Sequence, residues 1–243
     1  MAQKRNLDRL KENKNLLFYD TYERHRKIAS FIKSRETVLD VGGELNLLSK
    51  FCNPKKIVVA NIARSIEESD VIIKKDKLPF ASNSFDTVCA IDVLEHLPKN
   101  DRSKFIKNLL AVASKKVIIS FPVGTIRHNQ YEKETRDWLL NLGEDITYLN
   151  EHIKYSLPTV SEIQTIMHGF HARLFYSGNI MINKLLFRFL MFDPKIKFLR
   201  KIIYCLKLIF NFVTNPLLYL FLSNKGFSDS VNRAYLVVEK GKK

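Results

Sequence analysis

The run Val38-Leu39-Asp40-Val41-Gly42-Gly43 ends an apolar stretch with an acid placed two positions ahead of a glycine pair. A strand that ends in glycines and feeds a helix is a ligand-binding device. Glycine lets a ligand approach the backbone, and a helix N-terminus supplies free N–H groups. A carboxylate at Asp40 would repel the pyrophosphate of a dinucleotide and suits a ligand that carries positive charge. A buried strand with a tight turn accounts for the same residues without any ligand, so the motif alone is a weak signal. Candidates for proton transfer are His96, His128, Glu132, Glu151 and His152. A positioned base of this kind contributes roughly 10²–10⁴-fold to a rate. His128 and Glu132 are four residues apart and would share a helix face. His152 is the first choice for a catalytic base and His128 the second, although a surface histidine or a helix-capping glutamate is the commoner explanation of each. No cluster along the chain has metal-ligand spacing, so no metal is expected.

These residues must be positioned by regular elements. Leu16, Leu17, Ile28, Phe31 and Ile32 predict a helix over 15–34, and a short helix is expected over 45–51. Apolar runs at 37–41, 57–60, 71–73, 85–91 and 117–121 read as buried strands, with a helix near 101–113 before the last of them. Short apolar runs alternating with helices indicate a parallel sheet covered on both faces. Residues 129–168 look helical but polar, broken near Gly143 and Pro158, and 172–176 and 234–239 read as a sixth and a seventh strand.

Four segments follow one another along the chain: Val38 to Gly43, Leu78-Pro79-Phe80-Ala81-Ser82-Asn83-Ser84-Phe85-Asp86, Asp92-Val93-Leu94-Glu95-His96-Leu97-Pro98, and Ile118 to Gly124. In this order they resemble the class I methyltransferases, in particular their small-molecule and glycan-associated branch. The resemblance implies a doubly wound, seven-stranded, mostly parallel α/β sheet with S-adenosylmethionine as cofactor. It implies that Asp40 serves the methionine end of the cofactor, directly or through water, and that Gly42 and Gly43 let the cofactor lie against the backbone. Asn61 would face the ribose, Asp76 and Lys77 the adenine, and Ile91 and Asp92 the methionine part near the methyl. Asp86 would organise a turn. Three positions depart from the pattern: Glu44 and Asn46 stand where further glycines are common, Asn61 replaces an acid, and the acid of the adenine loop is shifted to Asp76. An amide grips ribose hydroxyls without charge assistance and so more weakly.

The chain divides into an N-terminal helical segment (1–35), an α/β core (36–177), an apolar basic helical insertion (178–230), and a final strand with a basic tail (231–243). In the resembling fold the connection between the last two strands emerges on the cofactor side. Here it carries eight basic residues between 178 and 225 against a single acid, Asp193, and seven phenylalanines. Lys197, Arg200, Lys201, Tyr204, Lys207 and Asn211 form a narrow polar stripe beside a wide apolar face of Ile196, Leu199, Ile202, Ile203, Leu206, Ile209 and Phe210. Such a helix suits the surface of an anionic membrane. A bilayer span over 202–222 gains about 6 kcal/mol from thirteen large aliphatic or Phe residues, and Lys207, Asn211, Asn215 and Pro216 roughly cancel it. Surface attachment is therefore expected over spanning, with packing on the domain or a homodimer interface as the alternatives.

The 243 residues carry a net charge of +15, which points to an anionic partner. Three widely spaced cysteines suit neither a disulfide framework nor a zinc site. The apolar run Leu16-Leu17-Phe18 is too short for a signal peptide, so a cytoplasmic protein, peripheral on the inner face of the membrane, is expected. The sequence favours methylation of a small-molecule acceptor, such as a hydroxyl of a saccharide or lipid-linked glycan. The partners expected are that acceptor, an anionic membrane surface through residues 184–222, and a second copy of the chain. An RNA methyltransferase is disfavoured, because Asp92-Val93-Leu94-Glu95 is not the signature of enzymes acting on base amines and no RNA-binding module is visible. A non-catalytic relative is the remaining alternative, prompted by Glu44, Asn46 and Asn61.

Overall fold

The computed structural model describes residues 13–62, 70–73 and 77–241. Seven strands form one sheet: β1 (Thr37–Val41), β2 (Lys56–Ile62), β3 (Val71–Ile73), β4 (Phe85–Ile91), β5 (Ala113–Pro122), β6 (His171–Ser177) and β7 (Arg233–Glu239). Their order is β3-β2-β1-β4-β5-β7-β6, parallel except for β7, which pairs antiparallel with both β5 and β6. The helices are α1 (Tyr19–Ser30), α2 (Lys99–Val112), α3 (Ile126–Asn141), α4 (Thr147–Tyr155), α5 (Val160–Ile166), α6 (Ile180–Met191) and α7 (Lys197–Leu222).

Side chains of a strand alternate between faces, and the core divides accordingly. Leu39, Val41, Val88, Ala90, Val117 and Ile119 pack with Ile106, Leu109 and Ile163 of α2 and α5. Val38, Cys89, Ile91, Ile118, Tyr235 and Val237 pack on the other face with Ile28 of α1 and Leu48. Strands buried on both faces are continuous apolar runs for this reason.

Several expected elements shorten. The first helix begins at Tyr19, after a 3-10 turn over Lys14–Leu16. The helix expected over 45–51 is reduced to the 3-10 turn Leu48–Lys50, because Asn46 sits in the left-handed region at φ 62° and interrupts the winding. The polar stretch after β5 becomes three helices. Thr125 and Thr159 cap α3 and α5 by accepting from the backbone N–H of His128 and Glu162.

The insertion forms α6 and α7, and α7 is inside out. The polar residues Lys207, Asn211 and Asn215 face the protein. Lys207 donates to the carbonyls of Leu190 and Phe192 at the end of α6, Asn211 to Leu16, and Asn215 to Asn15 and Leu17. Tyr219 meets Tyr22 edge to face. The expected polar stripe therefore splits: Lys207 and Asn211 turn inward, while Lys197, Arg200 and Lys201 at the N-terminal end stay exposed. Ile209, Phe212, Val213, Leu217, Leu220 and Phe221 point outward, with Leu220 70% exposed. By length and composition α7 could cross a membrane. Its inner face is instead fixed along the domain from Lys207 to Tyr219.

Candidate active site

In an open α/β sheet, ligands bind outside the carboxyl ends of the strands where the strand order reverses, here between β1 and β4. A cavity of about 790 Å³ opens at that point. It is lined by Gly42, Ile91 and Asp92, by Glu95, His96, His128, Glu132 and His152, and by Phe187, Phe189, Met191 and Phe210 of the insertion.

Gly42 holds φ at +80°, and a Cβ there would collide with Val93; a Cβ on Gly43 would collide with the Asp40 carboxylate. Both positions thus require glycine on backbone or steric grounds. Asp40 is 0% exposed, and neither of its carboxylate oxygens has a hydrogen-bond partner among the described residues. Burial, reinforced by the negative charge of Glu44, pushes its carboxyl up to about 7. A buried acid in this position fits a cation bound above the turn. Asn61 donates its amide to the Gly43 carbonyl at 3.3 Å, so it braces the glycine turn. Lys77 is exposed. Asp76 lies outside the described residues. Asp86 accepts from the backbone and side chain of Thr37 at 2.8 and 3.0 Å, so it ties the start of β4 to the start of β1 rather than organising a turn.

Ile91 and Asp92 reach the cavity, but Asp92 is not a free carboxylate. It stands at φ 54°, accepts from Ser120 at 3.0 Å, and is gripped by Arg24 at 2.6 Å and by Arg233. Arg233 also donates to both oxygens of Asp20, each at 3.0 Å. Arg24, Asp20 and Arg233 escape sequence reasoning, because they come from α1 and β7, at opposite ends of the chain. The Nε of Arg24 has no partner among the described residues, so an anionic group in the cavity could be received there.

The proton-transfer candidates converge. His128 and Glu132 lie on one face of α3, as their spacing implies, and both are buried. His152, on α4, places Nδ1 2.9 Å from Glu132. His96, in the 3-10 turn Leu94–His96 that follows β4, places Nδ1 2.7 Å from Glu151. The two Nε2 atoms face each other at 3.4 Å. Burial, joined by the adjacent His152, lowers the His96 pKa. Burial lowers that of His128 to about 4, so this imidazole is neutral at pH 7. Glu95 is 1% exposed, its Oε2 has no partner among the described residues, and burial raises its carboxyl well above the usual range. Glu95, His96 and His152 thus form a donor cluster, contrary to the expectation from linear spacing, since His96 and His152 are 56 residues apart.

Residues 51–121 match the methyltransferase domain family. No curated protein matches the chain by sequence. Among solved structures, the chain is similar to an S-adenosylmethionine-dependent methyltransferase from Archaeoglobus fulgidus, at 11% identity, 89% of this chain, 91% of that one and a TM-score of 0.51. It is also similar to one from Thermotoga maritima, at 10% identity, 90% and 88% coverage and a TM-score of 0.50. A third likeness is to the plantazolicin methyltransferase BpumL, solved with S-adenosylhomocysteine, at 12% identity, 91% and 85% coverage and a TM-score of 0.50. The domain match covers residues 51–121, and the likenesses agree on the fold: the chain has the fold of these S-adenosylmethionine-dependent methyltransferases.

Proposed function

We propose that the protein methylates a hydroxyl on an amphiphilic, membrane-resident acceptor of the lipid-linked saccharide type. The observation that carries this reading is that one cavity is lined by Gly42 and Asp92, by the histidines, and by Phe187, Phe189 and Phe210 of the insertion. A polar acceptor group would sit before His152, and its apolar part would leave between α6 and α7.

Bound at the glycine turn, S-adenosylmethionine supplies an electrophilic methyl. Asp40 beneath the turn favours its cationic end, and Arg24 is placed to receive its carboxylate. Alignment of acceptor, methyl and sulfur is the main requirement, worth roughly 7–11 kcal/mol. The His152–Glu132 pair assists loss of the hydroxyl proton. The outward apolar face of α7, with Lys197, Arg200 and Lys201 at one end, suits a helix lying in the headgroup layer of an anionic bilayer.

The test is methyl transfer from labelled S-adenosylmethionine into fractionated cell extract. Label is expected in the lipid-extractable fraction, falling roughly 10²–10⁴-fold in His152→Ala. Label confined to water-soluble small molecules or to RNA would overturn the proposed acceptor class.

A further inference from the structure

We infer that Glu95, His96 and His152 bind a divalent transition-metal ion of the zinc class in the cavity that they line. Each imidazole is presented in the form a metal needs. The Nδ1 of His152 is held by Glu132 at 2.9 Å and that of His96 by Glu151 at 2.7 Å. A carboxylate on one ring nitrogen places the proton there and leaves the lone pair on the other, the arrangement found behind metal-ligating histidines. The two Nε2 lone pairs are thereby directed at one another across 3.4 Å. Two ligand atoms about 2.0–2.1 Å from a tetrahedral zinc stand ~3.3–3.4 Å apart, so the separation is that of two ligands on one ion.

The third donor is a separate observation. Oε2 of Glu95 is buried and without a partner among the described residues, and a carboxylate oxygen of Glu95 lies within 4.8 Å of a ring nitrogen of each histidine. Glu95, Glu132 and Glu151 form no ion pair with Lys or Arg among the described residues. Two imidazoles and one carboxylate leave a coordination position open toward the cavity, as in catalytic zinc sites. Ion binding stands on this donor geometry alone. Its consequence rests on the methyl-transfer reading and refines it: with Nε2 on the ion, His152 acts as a ligand and not as the base itself, and an acceptor oxygen at the open position would be polarised by the ion and lose its proton more readily.

Purified, metal-stripped protein would be titrated with Zn²⁺ by calorimetry and with Co²⁺ by visible absorption, without cofactor or acceptor. One ion per chain is expected, with the Co²⁺ bands of nitrogen and oxygen ligation. His96→Gln and Glu95→Gln should each weaken binding at least roughly 100-fold, and Glu151→Gln roughly 10–100-fold. Thermal melts and S-adenosylmethionine titrations of the same samples establish folding and separate failure of this site from failure of the methyltransferase reading. No stoichiometric ion in folded protein, or affinity unchanged in folded His96→Gln, would overturn the inference and leave the histidines as a proton-sharing pair.

Discussion

Asp40 is the residue at which structure and cofactor chemistry meet most directly. Its carboxyl is held near 7 by burial and then by Glu44, and its charge helps burial to raise the thiols of Cys52 and Cys89. A group whose folded pKa exceeds its ordinary value binds more protons folded than unfolded. Ligand-free stability should therefore fall as pH rises from about 4 to 7 and level off above that. A cationic ligand favours the ionised form. At pH 6 S-adenosylmethionine binding should release close to one proton, and at pH 8 almost none. Calorimetry in buffers of different ionisation enthalpy reads this directly. Asp40→Asn should weaken binding roughly tenfold or more, an electrostatic loss of about 1.4 kcal/mol, and remove the proton release. Equal proton release in Asp40→Asn would assign the titration to another group.

Among the elements, α2 supplies the part that fixes the active-site geometry. Arg102 is 0% exposed and paired with Glu162 of α5 at 3.1 Å. It also donates to the carbonyls of Leu94 and Leu97, which flank Glu95 and His96, and to those of Tyr155 and Ser156 at the end of α4. One guanidinium thus ties the turn that bears His96 to the helix that bears His152. Arg102→Ala leaves Glu162 buried without its partner and should cost about 3–5 kcal/mol in chemical denaturation. Arg102→Ala with Glu162→Gln should recover part of that loss, since the uncompensated charge is gone. Losses that simply add in the double variant would show that the pair is not coupled.

At the scale of the whole molecule, the decisive feature is a helix whose polar side faces the protein. Asn215 is fully buried and donates to two backbone carbonyls, so Asn215→Ala should cost about 1–3 kcal/mol of stability. Replacing outward Ile209, Phe212 and Leu220 with Glu removes no contact within the core. It should leave thermal unfolding of the monomer nearly unchanged and abolish flotation with vesicles containing anionic lipid. Persisting flotation would eliminate α7 as the membrane face. A native dimer that the triple variant splits, with no lipid binding in either form, would assign the face to self-association.

The sequence by itself determined whatever depends on short-range pattern. Continuous apolar runs announce strands buried on both faces, Asp40-Val41-Gly42-Gly43 marks the turn at the switch point, and the charge and phenylalanine content of 178–225 sets the insertion apart. Strand positions hold to within two residues for every strand but β5, which begins at Ala113, ahead of the expected start at Val117. Only the tertiary structure decided which residues meet. Asp92 is spoken for by Arg24 and Arg233, 68 and 141 positions away. The dipeptides Glu95-His96 and Glu151-His152 face each other because the turn after β4 packs on α4. Periodicity locates the two faces of α7 but does not say which one turns inward. Backbone carbonyls of the N-terminal segment and of α6 take the amides of Asn211 and Asn215 and the ammonium of Lys207, and so leave the apolar face outside. Spacing along a chain reports its local winding; hydrogen bonds between distant segments are fixed only when the sheet brings those segments together.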